Sequence, residues 1–432
     1  MFAIVDYTLT MKLLNKLRLK WVMTTKSMGH GQDFLHQLYK QYLNHNKIIH
    51  WRKGLPVYSG STPPAFSKPA AHFLARKMMS VIQNRPFPNL MSFAINDICN
   101  ARCEHCSFFD EHDRPELPVV TLDEATNIIK QAQDLGVSVI NFVGGEPLMR
   151  KDLPDILRSV DKDRSSTLLF TNGWFLKKQA KTLKDAGLDT VYVSIDNATP
   201  EGHNEHRKLK GLFQRAMEGL QEAKKVGLTT GLSCCVFEDD LDNGNFDALM
   251  QLGKDMDVHE IIVFDAMPSG RMKDRQDLIG KPDVIDRLIA RIQEYNAIED
   301  FPGVLSYSYA TSWESTGCCG GTAYFYVTPY GEICCCDFNP AKLGDLREEP
   351  LWKVWDNAQK DPEFGSATWG GCKTKDPAYR AKHNGATASL PDGARLAKCG
   401  GKGGCACEEG GDCGCSSSGG KKNVSLDLEV RV

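Results

Sequence analysis

Leu90-Met-Ser-Phe-Ala-Ile-Asn-Asp-Ile-Cys-Asn-Ala-Arg-Cys-Glu-His-Cys106 decides the reading of this chain. Its first half is a short apolar run of the kind a buried strand needs. Its second half places Cys99, Cys103 and Cys106 on one loop directly after that run. Three thiolates on one short loop can wrap three corners of a [4Fe–4S] cubane, which leaves the fourth iron without a protein ligand. An open metal position is where chemistry happens in catalytic metal sites. A structural zinc ion would want a fourth ligand close by, and His105 is badly placed between two of the thiols.

Working outward, strand-like and helix-like stretches alternate. Runs at 90–96, 138–143, 167–171, 190–195, 229–237 and 260–265 are rich in β-branched and aromatic residues. The intervals 122–135, 152–160, 176–187, 212–226, 244–254 and 282–297 carry helical patterning. Such alternation argues for parallel βαβ units. The expected class is α/β: a partial (β/α)6 TIM-like barrel with a small cysteine-rich C-terminal domain. An open doubly wound sheet is the other arrangement the pattern permits, and in both, ligands gather at the C-terminal strand ends. The expected divisions are a partly helical N-terminal extension at 1–88, the barrel at 89–304 and a cysteine-rich domain at 305–398. A Gly/Cys-rich tail at 399–422 and a terminal strand at 423–432 follow.

Several motifs fall at those strand ends. The second strand ends in Asn141-Phe-Val-Gly-Gly-Glu-Pro147, where Gly144 and Gly145 let a backbone approach a ligand and Glu146 can accept from an ammonium group. The third ends in Thr171-Asn172-Gly173, a turn signal. In the fourth, alternation sends Tyr192, Ser194 and Asp196 to one face and Val191, Val193 and Ile195 to the other. Cys234 and Cys235 lie on the fifth strand, near the interior, where one could donate a hydrogen atom; the plainer reading is a buried apolar cysteine.

The order CxxxCxxC, GGEP, TNG resembles the radical SAM superfamily, and the resemblance spans about residues 90–375. It implies a cluster on Cys99, Cys103 and Cys106 whose open iron binds S-adenosylmethionine (SAM), with Gly144, Gly145, Glu146, Pro147 and Asn172 lining the cofactor site. It makes Ser194 and Asp196 candidates for SAM or substrate contacts. The stretch Glu201 to Arg207 resembles a family segment whose Arg faces the SAM carboxylate, which carries that role to Arg207. His105 stands where the family often has an aromatic residue, and its ring can stack toward adenine. The implied activity is reductive cleavage of SAM to a 5′-deoxyadenosyl radical that abstracts hydrogen from a substrate. An electron donor such as flavodoxin or ferredoxin is implied with it.

A second cysteine region follows. Cys319 and Cys336 flank two short strand-like runs around Pro329-Tyr-Gly331, with Cys318, Cys334 and Cys335 beside them and Cys372 further on. Cys319-x11-Gly331-x4-Cys336 resembles the SPASM/twitch extension of radical SAM enzymes, which implies an auxiliary iron–sulfur cluster on Cys319, Cys336 and Cys372. The remainder of the full SPASM pattern is missing, so one auxiliary cluster is expected rather than two. Cys399, Cys405, Cys407, Cys413 and Cys415 read as an opportunistic metal binder or a disordered tail.

Composition limits the partners. Sixteen cysteines in 432 residues are too few for a disulfide scaffold and are clustered like ligands, which points to a reducing, cytoplasmic setting. A formal net charge of −3 gives no case for nucleic acid. Residues 1–25 read as a basic amphipathic helix that would touch a membrane surface, as a solvated helix, or as an over-extended start ahead of Met23 or Met28. Three functions remain on the sequence: hydrogen abstraction from a peptide, lipid-linked or small-molecule substrate; an epimerase or dehydrogenase using a cysteine or the auxiliary cluster; and a non-catalytic iron–sulfur or metal-binding protein.

Overall fold

The computed structural model describes residues 40, 42–108, 116–278, 282–312, 314–361, 364, 372–376 and 378–380. All belong to one compact unit, residues 1–396; a second unit, 397–432, lies outside the described residues. The expectations for residues 1–25, the Gly/Cys-rich tail and the terminal strand lie outside them too.

A short hairpin, β1 (His50–Arg52) and β2 (Leu55–Val57), precedes the main sheet. That sheet comprises β3 (Leu90–Ala94), β4 (Val139–Val143), β5 (Ser166–Thr171), β6 (Thr190–Ser194), β7 (Thr229–Val236), β8 (Glu260–Asp265), β9 (Gly303–Ser306), β10 (Tyr324–Val327), β11 (Glu332–Cys336) and β12 (Asn339–Asp345). Its order is β12-β11-β10-β3-β4-β5-β6-β7-β8-β9, parallel from β10 through β9. Strands β3 to β9 follow sequence order without a reversal. A doubly wound sheet requires the order to reverse, whereas right-handed crossovers in one direction place every helix on one face, as in a barrel. No closing pair joins β9 to β12 among the described residues, so the barrel is partial.

The helices lie where the periodicity puts them. Leu122–Leu135 starts at Thr121, whose side chain caps the Glu124 N–H while Glu124 returns to the Thr121 N–H, and it stops at Gly136. Its Ala125, Ile128, Ile129, Ala132 and Leu135 face the sheet. Strand alternation supplies the other half of that core: Met91, Phe93, Ile140, Phe142, Val191, Val193, Leu232, Cys234, Ile261 and Val263 all pack into it. Each such side chain, fully buried, contributes about 1.5–3 kcal/mol. The opposite strand face bears Ser92, Asn141, Phe170, Ser194, Ser233, Cys235 and Phe264, which line an interior cavity.

Two features position that cavity. Leu43, Tyr58 and Ala65 pack on Tyr192, Leu168, Ile262 and Leu305, so the N-terminal extension closes the floor of the barrel. There Tyr192 donates its hydroxyl to buried Glu260, and the Gly60 N–H donates to the same carboxylate at 2.8 Å. The cysteine hairpin β10–β11 does not stand apart: β10 pairs parallel with β3 from Tyr324↔Leu90 to Val327↔Phe93, so the C-terminal part continues the barrel sheet.

Candidate active site

The loop after β3 is gripped from three sides. From the β4 end, the Gly145 N–H donates to the Asn96 carbonyl at 3.0 Å and the Glu146 N–H to the Ile98 carbonyl at 2.7 Å. A Cβ on Gly144 would come within 2.7 Å of the Asn96 carbonyl oxygen, and one on Gly145 would collide with the Ile98 carbonyl. The space these glycines open admits the chain's own cysteine loop, and both glycines also line the cavity where sequence reasoning expected a ligand. From the helix Pro200–His206, the Arg207 carbonyl accepts the Arg102 N–H at 3.1 Å. From the loop after β8, the Arg271 N–H donates to the Cys106 carbonyl at 3.0 Å, and a Cβ on Gly270 would strike that same carbonyl.

Glu146 is buried and accepts from the Leu148 N–H at 3.1 Å, the Thr171 hydroxyl at 2.5 Å and the Asn172 N–H at 2.8 Å. Burial pushes its carboxyl upward against those bonds. Three donors leave one of its four lone-pair sites, so its main work is to hold the Thr171-Asn172-Gly173 turn against the GGEP segment. Pro147 is buried at the start of the short helix Pro147–Met149. Asn172 donates its side-chain amide to Asn100 Oδ1 at 2.8 Å and lies 4.0 Å from Cys99 Sγ.

Asp196 and Arg207 form the polar centre. Arg207 Nε donates to Asp196 Oδ2 at 2.7 Å, and its Nη1 lies 3.8 Å from Cys103 Sγ. His105 Nε2 is 3.2 Å from the same Asp196 oxygen, and the Cys235 N–H donates to Asp196 Oδ1 at 3.0 Å. Burial opposes ionisation of Asp196, but Arg207 and His105 outweigh it and hold the carboxyl well below its usual range. Asp196 thus positions Arg207, and His105 is tied to a carboxylate. Ser194 faces the cavity. The two strand cysteines part company: Cys234 is in the helix-facing core and Cys235 lines the cavity. The expectation that both approach the interior is corrected by the pleat, which turns successive side chains to opposite faces.

All three loop cysteines line this cavity, whose volume is about 390 Å³. Burial pushes Cys99 up to about 12 and Cys103 to about 11, so both are thiols at neutral pH until a metal takes the proton's place. The Ala101 N–H donates to Cys99 Sγ at 3.4 Å, and Arg207 faces Cys103; such donors favour anionic sulfur. Among the described residues no three His, Cys, Asp or Glu side chains converge as a single ion would require. Several polar atoms in the same region are buried without a partner, among them Asn96 Oδ1, Asn100 Nδ2 and Asn141 Oδ1. Asn141 lines the cavity while donating to Ser92 at 2.8 Å. Sequence reasoning missed Asn141, although alternation along β4 points it inward.

The second cysteine set assembles around Tyr307. Burial raises that phenol well above its usual range, with the charges of Cys372, Cys336 and Cys319 adding to it. Cys318, which the sequence left spare, is buried and acts electrostatically on both Cys319 and Cys372. Cys335 accepts from Asn339 at 3.0 Å beside Cys336, while Cys334 packs toward Tyr326, Cys99 and Cys106. Cys319 also lines the cavity of the first set.

A singly wound parallel sheet with three thiols at the mouth of its first strand and a second thiol group on an added hairpin defines an iron–sulfur enzyme. Residues 94–250 match the radical SAM superfamily and residues 318–374 the iron–sulfur cluster-binding domain called SPASM. The chain is a radical SAM enzyme with a SPASM extension, dependent on a [4Fe–4S] cluster and SAM and carrying auxiliary iron–sulfur binding. It is 26% identical over 316 residues to the AdoMet-dependent heme synthase of Methanosarcina barkeri, covering 67% of this chain and 89% of that one. Over 149 residues it is 35% identical to the GTP 3′,8-cyclase of Alkaliphilus oremlandii, covering 33% of this chain and 45% of the relative. In fold it is similar to Streptococcus suis SuiB, with TM-score 0.55, 16% identity and coverage of 75% of this chain and 81% of SuiB. SuiB bound to its precursor peptide SuiA gives TM-score 0.53 at 17% identity, covering 68% of this chain and 70% of that one.

Proposed function

We propose that the chain cleaves SAM reductively and abstracts a hydrogen atom from a substrate held in the 390 Å³ cavity. Cys99, Cys103 and Cys106 would hold the cluster, and the observation that carries this reading is that all three line one cavity with the GGEP segment and Arg207. The donor set fits: buried thiols with N–H and guanidinium donors, and unpartnered polar side-chain atoms beside them. When bound, the cluster and SAM supply a 5′-deoxyadenosyl radical. The protein's part is to orient and to exclude water. Asp196 fixes Arg207 toward Cys103, Glu146 fixes the Asn172 turn toward Cys99, and the floor residues Tyr192 and Glu260 close the far end.

Phe170, Phe264, Tyr307 and Phe338 give the cavity an apolar wall, and Asp265 and Asp337 add carboxylates. This suits a substrate with an extended apolar body. The heme synthase relative and the SuiB–SuiA complex support a small molecule and a peptide respectively. An electron donor such as flavodoxin or ferredoxin belongs to this reading.

A second reading has its own observation: Cys235 and Cys319 open on the same cavity as the first set. In it, the Cys235 thiol would return a hydrogen atom to the substrate radical, as in an epimerase, or Cys319, Cys336 and Cys372 would hold an auxiliary cluster that supplies an electron acceptor, as in a dehydrogenase.

The test is anaerobic reconstitution with iron and sulfide, then SAM and dithionite. Formation of 5′-deoxyadenosine by the wild type and its loss in the Cys99→Ala, Cys103→Ala, Cys106→Ala variant is the expected result. A wild type that binds iron but yields no 5′-deoxyadenosine would be a metal-binding protein instead.

A further inference from the structure

Charge and exposed apolar surface coincide in the N-terminal 96 residues. Residues 1–96 carry 13 Lys and Arg and two Asp, whereas residues 97–432 carry 39 Lys and Arg and 53 Asp and Glu. Between Asp33 and Asp97 there is no acidic residue at all. Of the ten large hydrophobic side chains most exposed among the described residues, seven fall within residues 48–82: Ile48, Trp51, Phe66, Leu74, Met78, Met79 and Ile82.

These residues share one end of the molecule. The hairpin β1–β2 docks at the starts of β6 and β7, where Arg52 donates to Thr190 at 2.8 Å and Thr229 at 2.7 Å. The helix Lys68–Ile82 lies beside it at the starts of β4 and β5, with Lys68 on Asp163 and Arg76 on the Asp134 carbonyl at 3.1 Å. On that helix Leu74, Met78 and Ile82 recur every fourth residue, hence on one face. They are 58%, 58% and 72% exposed, an apolar stripe directed away from the core. At the hairpin tip, exposed Trp51 is followed by Lys53, which adopts φ 51° in the turn with Gly54. Of the carboxylates that face this region, Asp163 is matched by Lys68, Asp134 by Arg164 and Lys130, Asp189 by Lys162 and Arg52, and Asp356 by Arg85, while Asp161 accepts from the Asp163 N–H.

We propose that this end of the barrel, centred on the helix Lys68–Ile82 and the hairpin tip Trp51–Lys53, is a docking face for an anionic lipid bilayer. An apolar stripe on a segment that itself carries cations and no carboxylate is the composition of a segment that lies in a membrane interface. Tryptophan at the tip adds an amphipathic ring suited to headgroup depth. Charge argues against the two other natural occupants. A second copy would bring the same positive face, and residues 1–39 carry Lys12, Lys16, Arg18, Lys20 and Lys26 against Asp6 and Asp33. Among the described residues no helix is long and apolar enough to cross a membrane, so the contact is peripheral.

The full chain is floated with vesicles of phosphatidylcholine alone and of phosphatidylcholine with phosphatidylserine, at about 0.1 M and about 1 M salt. At least tenfold more protein should float with the anionic vesicles, and high salt should remove most of that preference. Leu74→Gln, Met78→Gln and Ile82→Gln together should lower anionic binding at least tenfold with melting temperature unchanged; Lys53→Glu should lower it several-fold. Wild-type protein that floats with neither vesicle overturns the proposal, including the case in which it captures only an acidic protein. Unchanged binding by both variants overturns it too, and would move the contact to residues 1–39.

Discussion

Gly145→Ala tests how the cysteine loop is built. The added methyl would collide with the Ile98 carbonyl, a backbone group that cannot turn aside as a side-chain tip can. Two outcomes compete. The sheet end could yield, which means forcing a methyl into a packed site at about 1–3 kcal/mol. Alternatively the loop could lift, breaking the Gly145–Asn96 and Glu146–Ile98 hydrogen bonds, each worth about 0.5–1.5 kcal/mol net. Ile98 is 51% exposed, so the loop is the softer side and should move. Loss of the two hydrogen bonds sets a penalty of about 1–3 kcal/mol on the correctly placed loop. That corresponds to a fall of roughly 5- to 150-fold in SAM cleavage. The measurement is 5′-deoxyadenosine formation after anaerobic reconstitution, with iron per chain and the SAM-induced change in the spectrum of the reduced cluster. Gly211→Ala is the control: its backbone is left-handed, φ 78°, unlike that of Gly145, but its Cβ would meet open space, so it should cost only about 1–2 kcal/mol of stability and leave SAM cleavage near normal. Wild-type cleavage and spectrum in Gly145→Ala would refute the argument that GGEP glycines serve the loop.

Three further outcomes follow from the same geometry. Cys235→Ala should change the fate of a substrate radical while preserving 5′-deoxyadenosine formation, whereas Cys234→Ala, in the core, should cost about 1 kcal/mol of stability and leave product unchanged; identical product ratios in both variants would remove Cys235 from the chemistry. Arg207→Ala should destabilise the apoprotein by about 3–5 kcal/mol in urea unfolding, because it strands the buried Asp196 carboxylate, and Arg207→Ala with Asp196→Asn should recover part of that loss. Burial raises Glu260 to about 7, above its unfolded value near 4.5, so its protonated form favours folding: its contribution is complete below the unfolded value and lost as pH rises through about 7. Buried His45, lowered to about 3, slopes the other way, so the clean reading is a difference: Glu260→Gln should gain on wild type by up to about 3 kcal/mol between pH 5 and pH 8 in apoprotein urea unfolding.

What could be read in advance was mostly local. The strand alternation that separates Val191 and Val193 from Ser194 and Asp196 is a property of six consecutive residues, and the helix Leu122–Leu135 announces itself by Thr121, Glu124 and Gly136. What could not be read depends on which distant backbone arrives. Gly145 looks like a ligand-facing glycine until the Ile98 carbonyl, 47 positions earlier, is seen against it. Asp196 looks like a free acceptor until Arg207, His105 and Cys235 are placed around it. Cys318 has nothing in its own neighbourhood to set it apart from Cys334; the separation comes from the hairpin register, Tyr326 opposite Cys334, which turns the latter toward the first loop. The apolar and basic character of the N-terminal 96 residues was visible in composition, but its location at one end of the barrel required the Arg52 and Lys68 contacts.

The parallel pairing of β10 onto β3 also bears on the order in which the molecule can be made. Until residues 324–327 leave the ribosome, β3 stays an unpaired margin beside the very loop that must receive iron, some 230 positions after its own synthesis. Such a margin is adhesive, and a contact across so long a stretch forms late. Metal insertion therefore belongs after translation, and nascent or truncated chains lacking the hairpin should be the ones that clump.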